Sequence, residues 1–247
     1  GLSGGGGSIL TVPVLVYLFA VDAVLATTYS LFIVGSTSLV GSFSYFKKEL
    51  IDLKTAILFG LPSIIAVFLT RHFILRAIPT QITNVGGFQL SRSILLMVLF
   101  AILMVFASYS MIKKDTERPS PNTKPAGMLI VVLQGLAVGL VTGLIGAGGG
   151  FLIIPALVNL LKLPIKTAIG TSLLIIAVNS MVGFGFSLGQ DPIQWAFLVT
   201  ITLIAMAGVF IGAFLSSKID GKKLKPMFGW FVLLMGIYIL LKETILK

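Results

Sequence analysis

The sequence predicts an all-α polytopic membrane protein of two inverted repeats, each a glycine-broken hairpin followed by three transmembrane helices. Three observations carry that prediction. Of 247 residues, 57% are hydrophobic and 11% charged, with a mean hydropathy of +1.09; a soluble domain is nearer half apolar and a quarter charged. Seven apolar runs are long enough to span a bilayer as helices, at a rise of about 1.5 Å per residue. The sequence also matches itself: residues 1–41 align without a gap on 143–183, with 17 identities in 41 columns. Chance in a Leu- and Gly-rich chain gives roughly 3 or 4, so the match is a duplication.

The spans are expected to be helices, because a lipid-exposed segment must satisfy its own backbone groups and no alternating strand pattern runs through them. They fall at 23–46, 53–70 and 91–112 in the first half, and at 127–145, 165–188, 193–217 and 223–241 in the second. Two shorter apolar pieces, 9–19 and 151–161, are too short to cross. Each follows a glycine cluster and carries a proline, Pro13 or Pro155. The hydrophilic stretch between the halves, with Lys113, Lys114, Asp115, Glu117, Arg118, Pro119, Pro121 and Pro125, reads as a linker. The domains are therefore 1–112, a linker 113–126, and 127–247. The second copy has an apolar lead-in, 127–142, ahead of Gly143, whereas the first starts at Gly1; a matching half-hairpin is expected to precede it.

Charge then orients the chain. If each glycine-broken unit returns to the side it entered from, 13 of the 18 cations share one side: Lys47, Lys48, Lys54, Lys113, Lys114, Arg118, Lys124, Lys162, Lys166, Lys218, Lys222, Lys223 and Lys225. The positive-inside rule makes that side, with the linker, cytoplasmic. Three spans per half is an odd number, so the two copies enter from opposite faces. That is the inverted repeat of many secondary transporters, whose substrate site lies near the midplane between the repeats. The formal +10 is a topology signal and not a nucleic-acid footprint, since the cations sit between membrane-length runs. No nucleic-acid partner is expected.

Several chemistries are excluded by residue counts. With no cysteine and one histidine, disulfides, thiolate sites and multi-histidine metal sites within one chain are ruled out. Gly146 to Gly150 lacks the Lys-Ser/Thr of a phosphate loop. Asp22, Glu49, Asp52, Asp115, Glu117, Asp191, Asp220 and Glu243 all fall at span ends or in loops, so no midplane carboxylate relay is visible. An intramembrane protease would need an acid pair or a Ser/His pair within the spans, and neither is there. The chain is not expected to be an enzyme or to need a cofactor.

What remains is the glycine breaks. Glycines at membrane depth interrupt a helix and leave backbone groups unpaired, which is tolerated only against protein or a wet cavity. Short helices starting near Ile9 and Phe151 would turn free N–H groups and positive dipole ends inward, an anion site by construction. The candidate substrate-binding set is Gly6, Gly7 and Ser8 with Thr28 and Ser30 in the first copy, and Gly148, Gly149 and Gly150 with Thr171, Ser172 and Asn179 in the second. The plainer alternative is that the glycines allow close packing and the hydroxyls bond their own helices. Asn179 is either cavity-lining or part of an interhelical hydrogen bond. Arg71, His72 and Arg76, at the outer end of the second complete span, either gather anions at the mouth or snorkel to the interface. Trp195 and Trp230 read as interfacial or packing aromatics.

Gly146-Ala147-Gly148-Gly149-Gly150, then Pro155, then Gly170-Thr171-Ser172, with Gly4 to Gly7, Pro13 and Thr28-Tyr29-Ser30 in the first copy, resemble the sulfite exporter TauE/SafE family of membrane permeases. The resemblance covers nearly the whole chain. It departs where Thr28, Tyr29 and Ser30 stand in place of Gly170, Thr171 and Ser172, so the first half-site is expected to differ in detail. What the resemblance implies is a secondary transporter for a small sulfur-containing or organic anion such as sulfite, a sulfonate or a sulfoacetate-like compound, in the cell inner membrane. Its partners would be that anion and the lipid bilayer, with a homodimer left open. Export is favoured, because an inside-negative potential contributes about 2.3 kcal/mol per 100 mV to a departing monoanion. A passive anion channel and a non-transporting scaffold are the rivals.

Overall fold

A computed structural model describes residues 8–79, 81–85, 88–112, 127–146, 148–189, 192–216 and 221–244. Gly6, Gly7 and the linker 113–126 lie outside the described residues. The elements are α1 (Ser8–Tyr17), α2 (Ala23–Phe46), α3 (Leu53–Leu69), a π-helical turn (Thr70–Ile74) running into α4 (Leu75–Ala77), β1 (Gln81–Val85), β2 (Phe88–Ser91), α5 (Arg92–Ile112), α6 (Met128–Ile145), α7 (Gly150–Asn159), α8 (Ile165–Ser187), α9 (Trp195–Ser216) and α10 (Gly221–Thr244). Among the described residues, five helices are long and apolar enough to cross a bilayer, at Ala23–Phe46, Leu53–Ile74, Arg92–Tyr109, Met128–Ile145 and Ile165–Ser187. This is an all-α polytopic membrane protein with one departure, a small antiparallel hairpin of β1 and β2 between α4 and α5. Its signal in the sequence is short: a Gly86-Gly87 dipeptide between two runs of four or five residues.

Helix starts follow local chemistry. Asp22 caps α2, its carboxylate accepting from the Val24 N–H at 2.8 Å, and Asp52 caps α3, accepting from Thr55 N at 3.1 Å. The duplication is also visible in the backbone. Ala23 and Leu53 begin α2 and α3; Ile165 and Trp195, their counterparts in the register that puts Gly1 on Gly143, begin α8 and α9. After the first short helix Ala20 takes φ +53°, and after the second its counterpart Lys162 takes φ +55°. The same chain reversal closes with Val21 N donating to Leu15 O and Leu163 N donating to Leu157 O.

The two copies meet through α2 and α8, which pack along each other; α3 lies along α6 and α5 along α10. Gly135, Gly139 and Gly143 fall on the α6 face towards α3, one helical turn apart. A Cβ on Gly135 would come within 2.6 Å of the Phe59 carbonyl, so the small residues permit the close approach. One apolar cluster joins α1, α2, α5 and α10 through Ile9, Leu15, Leu31, Met104 and Val232; another joins α3, α6, α7 and α8 through Phe59, Val138, Ile153 and Ile176.

Candidate functional site

The second glycine cluster forms a turn wedged between the two copies. Gly146 ends α6 in the left-handed region (φ +72°), and Gly148 and Gly149 are left-handed as well (both φ +67°). Side chains are barred there for two reasons. An L-residue resists that φ, and there is no space: a Cβ on Gly146 would strike the Thr27 carbonyl, and one on Gly148 would lie 2.6 Å from Val34 and 2.9 Å from Ile176. The Ser30 hydroxyl ties the turn to α2 by donating to the Gly146 carbonyl at 2.8 Å.

Gly149, left-handed, leads directly into helical Gly150, and no side chain caps α7. A left-handed residue followed by a helical one turns successive N–H groups into one concavity, and the helix dipole adds to it. Two hydroxyls border this turn. A Cβ on Gly149 would be 2.5 Å from Thr142 Oγ1 and one on Gly148 3.5 Å from Ser180 Oγ. Both side chains are fully buried, and neither oxygen has a hydrogen-bond partner among the described residues. Asn179, beside Ser180 on α8, donates from Nδ2 to Ser63 Oγ at 2.6 Å, which is the interhelical alternative; its Oδ1 is buried without a partner among the described residues.

The other predicted residues divide. Thr171 accepts from the backbone N–H of Asp52 at 2.9 Å and so helps hold the start of α3; Ser172 donates to Ile169 O of its own helix at 2.8 Å. Ser8 opens α1. Thr28 is buried and accepts from Arg71 Nη1 at 3.3 Å.

Arg71 is the residue that sequence reasoning placed wrongly. It is neither at a mouth nor snorkelling to an interface: its exposure is 0%. Nη1 donates to Thr28 and to Ser187, each at 3.3 Å, and Nη2 donates to Thr27 at 3.1 Å. The span was expected to stop at Thr70, but the π-helical turn carries it on through Ile74 and directs Arg71 into the bundle. The available signal was the apolar run Phe73-Ile74-Leu75 beyond the arginine. His72, by contrast, stacks on Phe68 with ring centroids 5.4 Å apart, and Trp195 and Trp230 are half exposed. The side chain of Arg76 lies outside what the structure describes. No group of three His, Cys, Asp or Glu residues among the described residues could hold a metal ion.

The chain has several relatives of comparable length. It is 26% identical to a "Probable membrane transporter protein" of Xylella fastidiosa, over 97% of this chain and 89% of the relative. It is equally similar, at 26%, to the "Probable membrane transporter protein YunE" of Bacillus subtilis (95% and 90% covered) and to the "Probable membrane transporter protein MJ0441" of Methanocaldococcus jannaschii (97% and 90%). No solved structure matches the chain. The sequence model described as "Sulfite exporter TauE/SafE" matches residues 1–239, and with the helical, membrane-spanning architecture above, the chain belongs to the TauE/SafE family of membrane transporters.

Proposed function

We propose that the protein is a secondary transporter for a small sulfur-containing or organic anion, sulfite or a sulfonate, moved outward across the cell inner membrane by alternating access. The observation that carries this is the turn at Gly148 to Gly150. It offers an uncapped helix N-terminus beside two buried hydroxyls, Thr142 and Ser180, that have no partner among the described residues. A buried hydroxyl without a partner costs about 1–3 kcal/mol, and an oxyanion accepting from both would relieve that cost. The sulfur in the reading comes from the family description alone.

Alternating access draws support from the backbone correspondences between the two copies. Two copies built on one plan can exchange roles about the α2–α8 contact, provided they face opposite ways. Among the described acids, Asp22 and Asp52 are engaged as helix caps, and Glu243, buried near the end of α10, accepts from the Tyr17 hydroxyl at 2.9 Å; the membrane potential would supply the driving force for a departing monoanion. The linker 113–126 would be cytoplasmic, and a homodimer is compatible with this reading.

Flux in proteoliposomes tests it. The expected result is saturable sulfite or sulfonate transport, with KM raised about tenfold by Thr142→Val combined with Ser180→Ala, equivalent to about 1.4 kcal/mol of binding. Absence of flux for both anions would overturn the reading, and unitary single-channel conductance would replace alternating access by a passive pore.

A further inference from the structure

We propose that Arg71 is the charge-reading residue of this transporter, taking two oxygens of a planar or tetrahedral oxyanion on the guanidinium edge formed by Nε and Nη2. The proposal rests on the anion-transport reading and gives it a residue that the glycine turn alone does not supply.

The guanidinium is surrounded by neutral groups. Its three hydrogen bonds all go to hydroxyls, those of Thr27, Thr28 and Ser187. Those hydroxyls have already committed their own hydrogens to helix carbonyls: Thr27 donates to Val24 O at 2.7 Å, Thr28 to the same oxygen at 3.4 Å, and Ser187 to Gly183 O at 2.9 Å. They offer lone pairs and no negative charge. No carboxylate among the described residues pairs with Arg71. A fully buried cation inside a membrane span is costly unless an opposite charge joins it, and such residues characteristically line the path of a charged substrate.

Donor arithmetic points the same way. A guanidinium has five N–H groups in a fixed fork. Among the described residues three are used, which leaves Nε–H, buried and without a partner, and one N–H on Nη2. Nε and Nη2 flank one edge of the plane, the spacing that takes two oxygens of one oxyanion side by side. Thr27 and Thr70 link Arg71 to the glycine-broken end of α6. Thr27, which accepts from Nη2, has its carbonyl against Gly146, and Thr70, the preceding residue, has its side chain against Gly143, with Oγ1 buried and unpartnered among the described residues. Arg71 has no counterpart in the second copy, where the duplication puts Ala213, so charge recognition would belong to one half only.

The test uses the full chain in detergent or nanodiscs with two probes of nearly the same shape, methanesulfonate and its uncharged counterpart dimethyl sulfone. Methanesulfonate is expected to raise the thermal midpoint of the wild type while the sulfone leaves it unmoved. Arg71→Gln should abolish that shift. Arg71→Lys keeps the charge but loses the fork, and should retain the anion preference with an apparent affinity about tenfold weaker; it decides the matter if the glutamine variant does not fold. Three outcomes overturn the assignment: a wild type that binds neither probe or both alike, an Arg71→Gln protein whose methanesulfonate affinity is within about twofold of wild type, or an Arg71→Lys protein indistinguishable from wild type. Binding that depends on Arg71 without any flux in liposomes would remove the transport reading and leave this one. Unchanged flux in Arg71→Gln would do the reverse.

Discussion

The two ends of the α2–α8 pair are built from the same duplicated backbone and have become chemically opposite. Where α2 begins and α8 ends, Thr28 and Ser187 each lie 3.3 Å from Arg71. Their counterparts in the other copy, Gly170 and Tyr45, meet at the other end, and there the packing is apolar and closed: a Cβ on Gly170 would strike the Leu50 carbonyl and lie 2.9 Å from Tyr45 Cβ. Around these two positions the plan stays symmetric. Gly41 packs on Leu173 as Gly183 packs on Leu31, and the Asp52 N–H bonds Thr171 as the Gln194 N–H bonds Tyr29, both at 2.9 Å. Duplication thus preserved the contacts that shape the backbone, and the copies diverged where a side chain decides between charge and closure.

Substitutions at the two ends are expected to differ in cost. Gly146→Ala adds a Cβ at positive φ against the Thr27 carbonyl and is expected to cost about 2–4 kcal/mol, left-handed strain plus overpacking. Denaturant titration in mild detergent would show it; a change below about 0.5 kcal/mol would mean that the turn is not wedged as described. At the closed end, Gly170→Ala should cost about 1–3 kcal/mol by overpacking Leu50 and Tyr45, measured the same way. Ser30→Ala removes the hydrogen bond to Gly146 and should lower stability by about 1–2 kcal/mol.

Contacts repeated in both copies should lose similar amounts. Tyr29→Phe and Thr171→Val each delete one of the paired bonds to a helix start, so each should cost about 1 kcal/mol, and the two losses should agree within about 0.5 kcal/mol. A large disparity in thermal midpoint would separate the two copies energetically. Gly185 lies on the same helix as Gly170, with nothing within 4 Å of an added Cβ. Gly185→Ala is therefore expected to stabilise by about 0.5–1 kcal/mol through helix propensity alone, opposite in sign to Gly170→Ala.

Much of the architecture could be read from the chain. The span expected at 23–46 is α2 residue for residue, and the expected break before Phe151 is where α7 begins to within a residue; the break expected before Ile9 lies outside the described residues. Membrane helices advertise themselves because lipid forces every backbone group to bond within its own segment, and glycine and proline mark where that fails. The predicted site was legible less evenly. Gly148, Gly149 and Gly150 do form the turn, but Thr171 and Ser172 face backbone partners; of the two hydroxyls that border the turn, Ser180 is marked only by its identity with Ser38 in the duplication, and Thr142 by nothing in one dimension.

The membrane, the helices, the duplication and the glycine turn all follow from composition, periodicity or the conformations that glycine alone tolerates. Which polar groups are satisfied and which are left over depends on how the helices pack. The clearest case is Arg71: a π-helical turn moves it from an expected span end to full burial among Thr27, Thr28 and Ser187. Hydrogen-bond satisfaction depends on groups 43, 44 and 116 residues away in the chain, and no local pattern encodes what will stand opposite a side chain once the helices have packed.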